Sequence, residues 1–519
     1  MFDLLLNGFL QNFSPYLLLL LLTGTASGMA VGAMPGLSAT LGLALLIPFT
    51  FAMEPTPGLV LLGAFYMGAI YGGSFTAILV NTPGTPSSIA TTFDGYPMTK
   101  QGRSEEAIVA ATMGSLVGGL IGVVALVFLA PPLADFSLRF GPQEYFWVAI
   151  FGLTIIATLA SDSLLKGFLG GALGLLISAI GIAPIGGDVR FTFGTPLLQG
   201  GVPLVPALIG LFTIPEVIRL IARRGREEAE TVTTEVRSKG HLWGLIRKVL
   251  SDPVNVIRSS VIGVIVGILP GAGGSVANLV AYNEAKRASP HPERYGKGEV
   301  QGVVASESAN NATVGGGMIT TLTLGVPGTP PDAIILGVLL LQGLRPGAEL
   351  FQTQGKLVYT FMFALAFSAV MMVPVGLIAG RALQRGVVAL PARYLAPSIF
   401  VLSIVGAYAI RSNVTDVYLM LLIGLVGYLM AVADFSPAPI VLGLILGPIA
   451  ETGLGQGLLT AAGSNHPWTS FFTRPLSLVL IALSLLSMLW PLYRELRGRR
   501  ISPAATLDLD WPPNEAKVD

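Results

Sequence analysis

Not one cysteine occurs among the 519 residues, and there are only three histidines. Disulfides, thiolate metal sites and a cysteine nucleophile are therefore excluded. His241, His291 and His466 lie far apart in polar segments, which argues against a His-based metal centre or catalytic triad, and no H-E-x-x-H is present. A phosphate loop of the form G-x-x-x-x-G-K-[ST] is missing as well. The glycine-rich stretches are apolar and form no strand-loop-helix unit, so nucleotide chemistry is not expected. Charge is the scarcest resource: Asp, Glu, Lys and Arg make up 11% of the chain, against about a quarter in an ordinary soluble protein. With 52% hydrophobic residues and a mean hydropathy of +0.73, the sequence does not describe a water-soluble fold.

What is present is a series of long apolar runs. A membrane-crossing helix needs roughly 20 mostly apolar residues, and 107–130, 143–160, 355–380 and 475–491 each qualify. Counting all such segments predicts an all-α polytopic membrane protein with about 12 transmembrane helices plus re-entrant or broken ones. The runs are too long and too uniformly apolar for the alternating strands of an outer-membrane barrel. A net charge of +1 says little, but the placement of the cations is informative. Arg223, Arg224, Arg226, Arg237, Lys239, Arg247 and Lys248 crowd one polar segment, and Arg494, Arg497, Arg499 and Arg500 crowd another; the positive-inside rule puts both in the cytoplasm. The chain then divides into a first membrane half (1–220), a basic cytoplasmic linker (221–253), a second membrane half (254–498) and a polar C-terminal tail (499–519). The N-terminus has no basic n-region or clear cleavage site and reads as mature sequence.

The two halves resemble one another. Gly32-Ala33-Met34-Pro35-Gly36-Leu37-Ser38 is echoed by Gly267-Ile268-Leu269-Pro270-Gly271-Ala272-Gly273-Gly274-Ser275, and Thr82-Pro83-Gly84-Thr85-Pro86 by Val326-Pro327-Gly328-Thr329-Pro330, in the same order. A Pro-Gly pair inside an apolar run removes a backbone donor and frees the chain to leave helical geometry. Such a break cannot face lipid, so it must be buried or line a wet cavity, and paired breaks in two halves are the mark of repeat-built transporters. Arg258 precedes the second Pro-Gly element, and Lys286, Arg287, Arg294 and Lys297 follow it, which predicts a re-entrant hairpin with both ends cytoplasmic. The first element is followed by Glu54-Pro55-Thr56-Pro57, with no cation, and is expected to enter from the opposite face. The repeats are then inverted.

Polar groups gather beside these breaks. Asn81 to Ser88 sets hydroxyl and amide groups on interrupted backbone, where freed carbonyls suit Na+ and the N–H groups opening the next half-helix suit a carboxylate. Close packing by small residues is the competing reading. In Ser306 to Thr313, Glu307 stands three and four residues before Asn310 and Asn311 on one helical face. An ionisable residue within a membrane segment is a candidate for cation or proton coupling, and solvation at a cytoplasmic helix end is the alternative. Ser38, Thr40, Asn278, Asn283 and Asp332 occupy matching places with weaker individual signals. Arg190 and Arg411 are the cations placed to attract an anion, or else to snorkel to the interface.

Four stretches, Gly32 to Phe51, Tyr66 to Gly102, Gly187 to Gly194 and Gly267 to Gly328, together resemble the large membrane subunit of the bacterial tripartite tricarboxylate transporter family. The likeness covers nearly the whole chain up to about residue 500. The first motif reads Ala33-Met34 where relatives carry a bulkier pair, but its Pro-Gly is intact. The resemblance implies a multi-pass subunit of the bacterial inner membrane with a cytoplasmic C-terminus. Its partners would be a small membrane subunit of about four helices and a periplasmic substrate-binding protein. It implies uptake of citrate or related carboxylates coupled to Na+ or H+. The broken-helix elements of both halves are expected to work by alternating access, of the elevator kind, in a chain that can pair as a homodimer; the missing catalytic motifs predict no enzymatic activity and no cofactor. Carried over by residue, the substrate region comprises Ser38, Asn81, Thr82, Gly84, Thr85, Gly271, Gly273, Gly274, Ser275, Asn310, Asn311, Gly328 and Thr329. Asn81, Glu307 and Asn310 are the candidates for the Na+ or proton site. Scaffold helices are expected within 104–180 and 355–430. The rival class is a non-transporting membrane scaffold or an intramembrane enzyme.

Overall fold

The computed structural model describes residues 2–34, 37–159, 163–222, 242–249, 251–385, 392–463 and 466–496. Pro35 and Gly36 of the first motif, most of the basic linker with Arg223 to Lys239, and the tail lie outside the described residues.

The described chain is helical almost throughout. In the first half run α1 (Phe2–Gln11), α2 (Pro15–Gly32), α3 (Ala39–Phe51), α4 (Pro55–Val80), α5 (Ile89–Lys100), α6 (Ser104–Ser137), α7 (Pro142–Leu159), α8 (Leu164–Ser178) and α9 (Leu204–Ala222). After α10 (Leu242–Val249) come α11 (Pro253–Ile268), α12 (Gly273–Ala288), α13 (Val300–Leu324), α14 (Pro330–Leu341), α15 (Ala348–Thr353), α16 (Gly355–Arg385), α17 (Ala392–Arg411), α18 (Val414–Val432), α19 (Pro437–Thr460), α20 (Thr469–Thr473) and α21 (Pro475–Leu496). Among the described residues the sheet content is one antiparallel pair, β1 (Gly181–Ile182) with β2 (Val189–Arg190).

Local chemistry fixes the helix starts. Ser14, Ser38, Asp252 and Thr329 each accept a hydrogen bond from a backbone N–H of the first turn, and proline follows immediately at Pro15, Pro253 and Pro330. Proline there costs nothing, because the first N–H groups have no helical partner. Seven described helices are long and apolar enough to cross a membrane, and six shorter apolar helices accompany them. Apolar side chains such as Phe128, Leu165, Ile378 and Leu486 are exposed on the outside, as expected of a surface solvated by lipid rather than water. The protein is thus an all-α, multi-pass membrane protein.

At the centre lie the two interrupted helices. α4 and α13 are buried along nearly their whole lengths, and each is zipped to a partner by glycine. A side chain on Gly28 of α2 would collide with the Phe65 carbonyl of α4, and one on Gly263 of α11 with the Ala309 carbonyl of α13. α6 is drawn onto α13 in the same way through Gly114, Gly118 and Gly122. Without a hydrophobic driving force between helices in lipid, such backbone approach is what holds them together.

The internal repeat is visible in detail. Asn81 and Gly325 both end their helices in the left-handed conformation, at φ 55° and 67°, and both place their N–H on a threonine carbonyl, Thr76 or Thr320. Gly84 packs against Gly32 and Gly73 just as Gly328 packs against Gly267 and Gly317. Tyr66, ahead of the α4 break, reaches Thr329, behind the α13 break. Asn310, ahead of the α13 break, lies across Gly274 from Ser87, behind the α4 break. Each helix therefore runs toward the point where the other begins, so α4 and α13 are antiparallel and the repeats are inverted. They cross where Asn311 Nδ2 meets the Met67 carbonyl at 3.3 Å, a pair 244 positions apart, the same spacing that relates Gly84 to Gly328. α11 and α12 have 16 residues each, about 24 Å at 1.5 Å per residue, which is short of a bilayer core of roughly 30 Å. They pack against each other as a re-entrant hairpin.

Around this centre the halves exchange helices. α9 of the first half packs on α17 and α18 of the second, while α19 of the second packs on α7 and α8 of the first. α6 and α16, expected among the scaffold helices, lie against α13 and α4.

Replacing Gly28 or Gly263 by leucine should therefore destabilise the folded protein by at least about 1–3 kcal/mol, the usual cost of overpacking. Thermal unfolding in detergent measures it. Gly200→Ala, whose added carbon meets nothing within 4 Å, serves as the control and should leave the midpoint unchanged.

Candidate functional site

The first break is built by a chain that folds back on its own helix. After the left-handed Asn81, the Thr82 N–H returns to the Thr76 carbonyl at 3.3 Å, and the Gly84 N–H donates to the Gly73 carbonyl at 3.2 Å. Thr85, Ser87 and Ser88 are thereby delivered to the protein interior, with the Thr85 hydroxyl 3.1 Å from those of Ser87 and Ser88. α12 closes the other side: Asn278 donates its amide to the Ser87 carbonyl, and Gly274 presents bare backbone between Ser87 and Asn310. Asn310 donates to the Ile70 carbonyl at 3.5 Å. The side-chain oxygens of Asn278 and Asn310 are buried and accept no hydrogen bond. Leaving such acceptors unmade in a dry interior costs about 1–3 kcal/mol each.

The second break repeats the geometry with different chemistry. The Gly271 N–H, at the tip of the α11–α12 hairpin, donates to the Gly328 carbonyl at 2.7 Å. Thr329 caps α14 and meets the Tyr66 hydroxyl at 2.9 Å. Asp332, where the first half has Ser88, is fully buried. One hairpin tip thus touches both breaks, through Gly271 on one side and Gly274 on the other. The first-turn N–H groups of α12, at the positive end of its dipole, lie between them.

Of the residues picked out from sequence, Thr85, Gly84, Gly271, Gly273, Gly274, Asn310, Gly328 and Thr329 are brought together here. Ser275 is half-buried on the first turn of α12, and Ser38 is half-buried as the cap of α3. Asn311 turns to the sulfur atoms of Met67 and Met372 on α4 and α16. Asn81 and Thr82 are exposed at the outer end of α4, where Asn81 serves as the left-handed residue, the role of Gly325 in the other half. Glu307 is not solvated at a helix end but fully buried. Its carboxylate accepts from the Thr91 hydroxyl at 2.5 Å and the Ser115 hydroxyl at 3.1 Å, and the Asn310 side chain lies alongside. Arg190 pairs with Glu451 at 2.6 Å, and Arg411 with the buried Asp416 at 2.5 Å, so both cations are engaged by carboxylates.

Sequence reasoning passed over Tyr66, Thr91 and Asp94. Alignment of the halves at 244 positions would have found Tyr66, which stands opposite Asn310. Asp94 on α5 gathers the N–H groups of Gly296, Gly298 and Glu299 at 2.8 Å each and the Tyr282 hydroxyl at 2.9 Å. It ties α5, α12 and the loop before α13 into one body. No periodicity announces either contact.

Removing both hydroxyl donors of Glu307, as Thr91→Val with Ser115→Ala, should lower stability by about 1–3 kcal/mol for each acceptor left bare. The thermal midpoint of the double variant reads this out, and a wild-type midpoint would contradict the assigned pairing.

No solved structure matches this chain. Its sequence is 35% identical over 504 residues, 96% of this chain and 98% of the relative, to an uncharacterised 52.8 kDa protein of the TAR-I ttuC' 3' region in Agrobacterium vitis. An uncharacterised protein of the TAR-II ttuC' 3' region in the same organism is 33% identical over 239 residues, 46% of this chain and 97% of that relative. Residues 18–442 match the tripartite tricarboxylate transporter TctA family. With paired, buried helix breaks in a multi-pass membrane protein and a match over most of its length, the chain belongs to the tripartite tricarboxylate transporter TctA family.

Proposed function

We propose that this chain is the permease subunit of a binding-protein-dependent secondary transporter in the bacterial inner membrane. It takes up tricarboxylates or related carboxylates, driven by a Na+ or H+ gradient. A small membrane subunit and a periplasmic substrate-binding protein complete the system, and the C-terminus faces the cytoplasm. The observation that carries this reading is the pair of inverted, interrupted helices, α4 and α13, meeting at a single hairpin tip. Irregular backbone at such depth persists only where it is buried or lines a cavity, and here the side-chain oxygens of Asn278 and Asn310 beside it accept no hydrogen bond.

The charge balance supports coupling to a cation. Among the described contacts no Lys or Arg side chain reaches the residues around the two breaks. A multiply charged carboxylate entering a water-poor site needs compensating positive charge. The α12 N-terminus supplies part of it, and co-transported cations supply the rest.

Alternating access then moves the body containing α4, α5, α6, α11, α12, α13 and α16, which the glycine contacts and Asp94 lock together. It slides in the elevator manner against the exchanged layers of α7, α8 and α19 and of α9, α17 and α18. A homodimer joined through those outer layers would hold them still.

The test is uptake of labelled citrate and other di- and tricarboxylates into proteoliposomes holding the assembled system, with an imposed Na+ or pH gradient. Gradient-dependent accumulation is expected, and none across a broad carboxylate panel would refute the reading. Asn310→Ala and Thr85→Ala should each reduce uptake by roughly tenfold or more, equivalent to about 1.4 kcal/mol, while inserting normally. Wild-type rates in both would remove these residues from the site.

A further inference from the structure

The two breaks are related by a pseudo-twofold axis, yet they are not chemically equivalent, and one of the differences is a charge immediately behind the break. Where the first half has Ser88, hydrogen-bonded to Thr85, the second has Asp332. This carboxylate is 0% exposed; the Thr329 and Tyr66 hydroxyls and the N–H groups of Gly328 and Thr329 lie close to it, none in a hydrogen bond of ordinary geometry. No described ion pair involves it. A carboxylate with no cationic side chain beside it in a membrane interior is costly, and it is kept where a function requires it.

The neighbourhood of Asp332 consists of oxygens. Thr329 and Tyr66 set their hydroxyls 2.9 Å apart beside it. The carbonyl of Gly267, at the end of α11, has lost both of its helical donors: the residue three positions on is Pro270, which has no N–H, and Gly271 four positions on donates to Gly328 instead. That carbonyl and Asp332 Oδ2 flank the same point, the place a side chain on Gly328 would fill, with Oδ2 3.3 Å from it. Gly317 lacks the side chain that would otherwise run into the carboxylate. A carboxylate, a freed carbonyl and a hydroxyl gathered at one break form an oxygen-only set of side-chain and carbonyl acceptors, the ligand class that hard cations take.

We propose that Asp332, with the Gly267 carbonyl and the Thr329 hydroxyl, forms a binding site for a monovalent metal cation of the sodium class. The proposal rests on the transport reading and deepens it by naming the coupling site. The cation joins α11 to the start of α14 beside Tyr66 of α4, so its arrival draws the hairpin tip onto the second break. The half-site around Thr85, Ser87, Asn278 and Asn310, with Glu307 beside Asn310, is left for the substrate.

The test uses the purified full chain in lipid nanodiscs without any carboxylate, following the thermal midpoint as NaCl replaces KCl at constant ionic strength. The wild type should rise with Na+. Glu307→Gln should retain that response, Asp332→Asn should lose it, and Thr329→Val should need roughly tenfold more Na+ or beyond, as for lost metal-site partners. An unaltered Na+ response in Asp332→Asn overturns the site, and so does a wild type that responds equally to K+ or only to acid. Should Asp332→Asn fail to fold, Thr329→Val, which keeps the charge, decides the question: an unshifted Na+ dependence overturns the site. The two readings fail separately. A wild type that binds Na+ but accumulates no carboxylate defeats the transport reading alone, whereas accumulation without a Na+ response defeats this site alone.

Discussion

In hydrocarbon no water stands ready to take a stray peptide group, and each N–H or C=O left bare costs several kcal/mol. The architecture follows from that constraint. Two long buried helices, α4 and α13, each end in a break after which the chain turns back into the protein, with Gly84, Thr85, Gly328 and Thr329 buried. There their loose ends are settled against each other: the Gly84 N–H on Gly73, the Gly271 N–H on Gly328, and the turns after Asn81 and Gly325 on Thr76 and Thr320. Beside the breaks, the side-chain oxygens of Asn278, Asn310 and Asp332 are left without a hydrogen bond of ordinary geometry.

Glycine is what makes the settlement geometrically possible. The approach of α2 to α4, of α11 to α13 and of α6 to α13 brings backbone against backbone, so the breaks sit in a rigid surround rather than a loose one. The hairpin tip between Leu269 and Gly274 is attached to one break by a single backbone hydrogen bond, and the following turns of α12 meet the other through Gly274 and Asn278.

Much of this was legible beforehand, and the reasons are physical. Proline and glycine inside apolar runs act locally, so Pro270-Gly271 and Pro327-Gly328 disclosed the interruptions, and their repetition disclosed the duplicated design. Ser38 and Thr329 were recognisable as polar groups beside breaks because capping too is local chemistry. What escaped notice depends on distant partners. The burial of Glu307 is decided by Thr91 and Ser115 on other helices, and the isolation of Asp332 by glycines from α13 and by the tip of α11. Asn81 drew attention as an amide, though its backbone conformation explains its presence. The exchange of α9 and α19 between halves left no trace either, because apolar helices carry no label saying which neighbour they prefer.

That exchange has a consequence for synthesis. α7 and α8 leave the ribosome more than two hundred residues before α19, their eventual neighbour, and α9 waits in the same way for α17 and α18. The early segments must reside in the bilayer with unfinished faces, tolerable because lipid covers an apolar helix nearly as well as another helix does. The faces of α7, α8 and α9 are completed only when α17, α18 and α19 arrive.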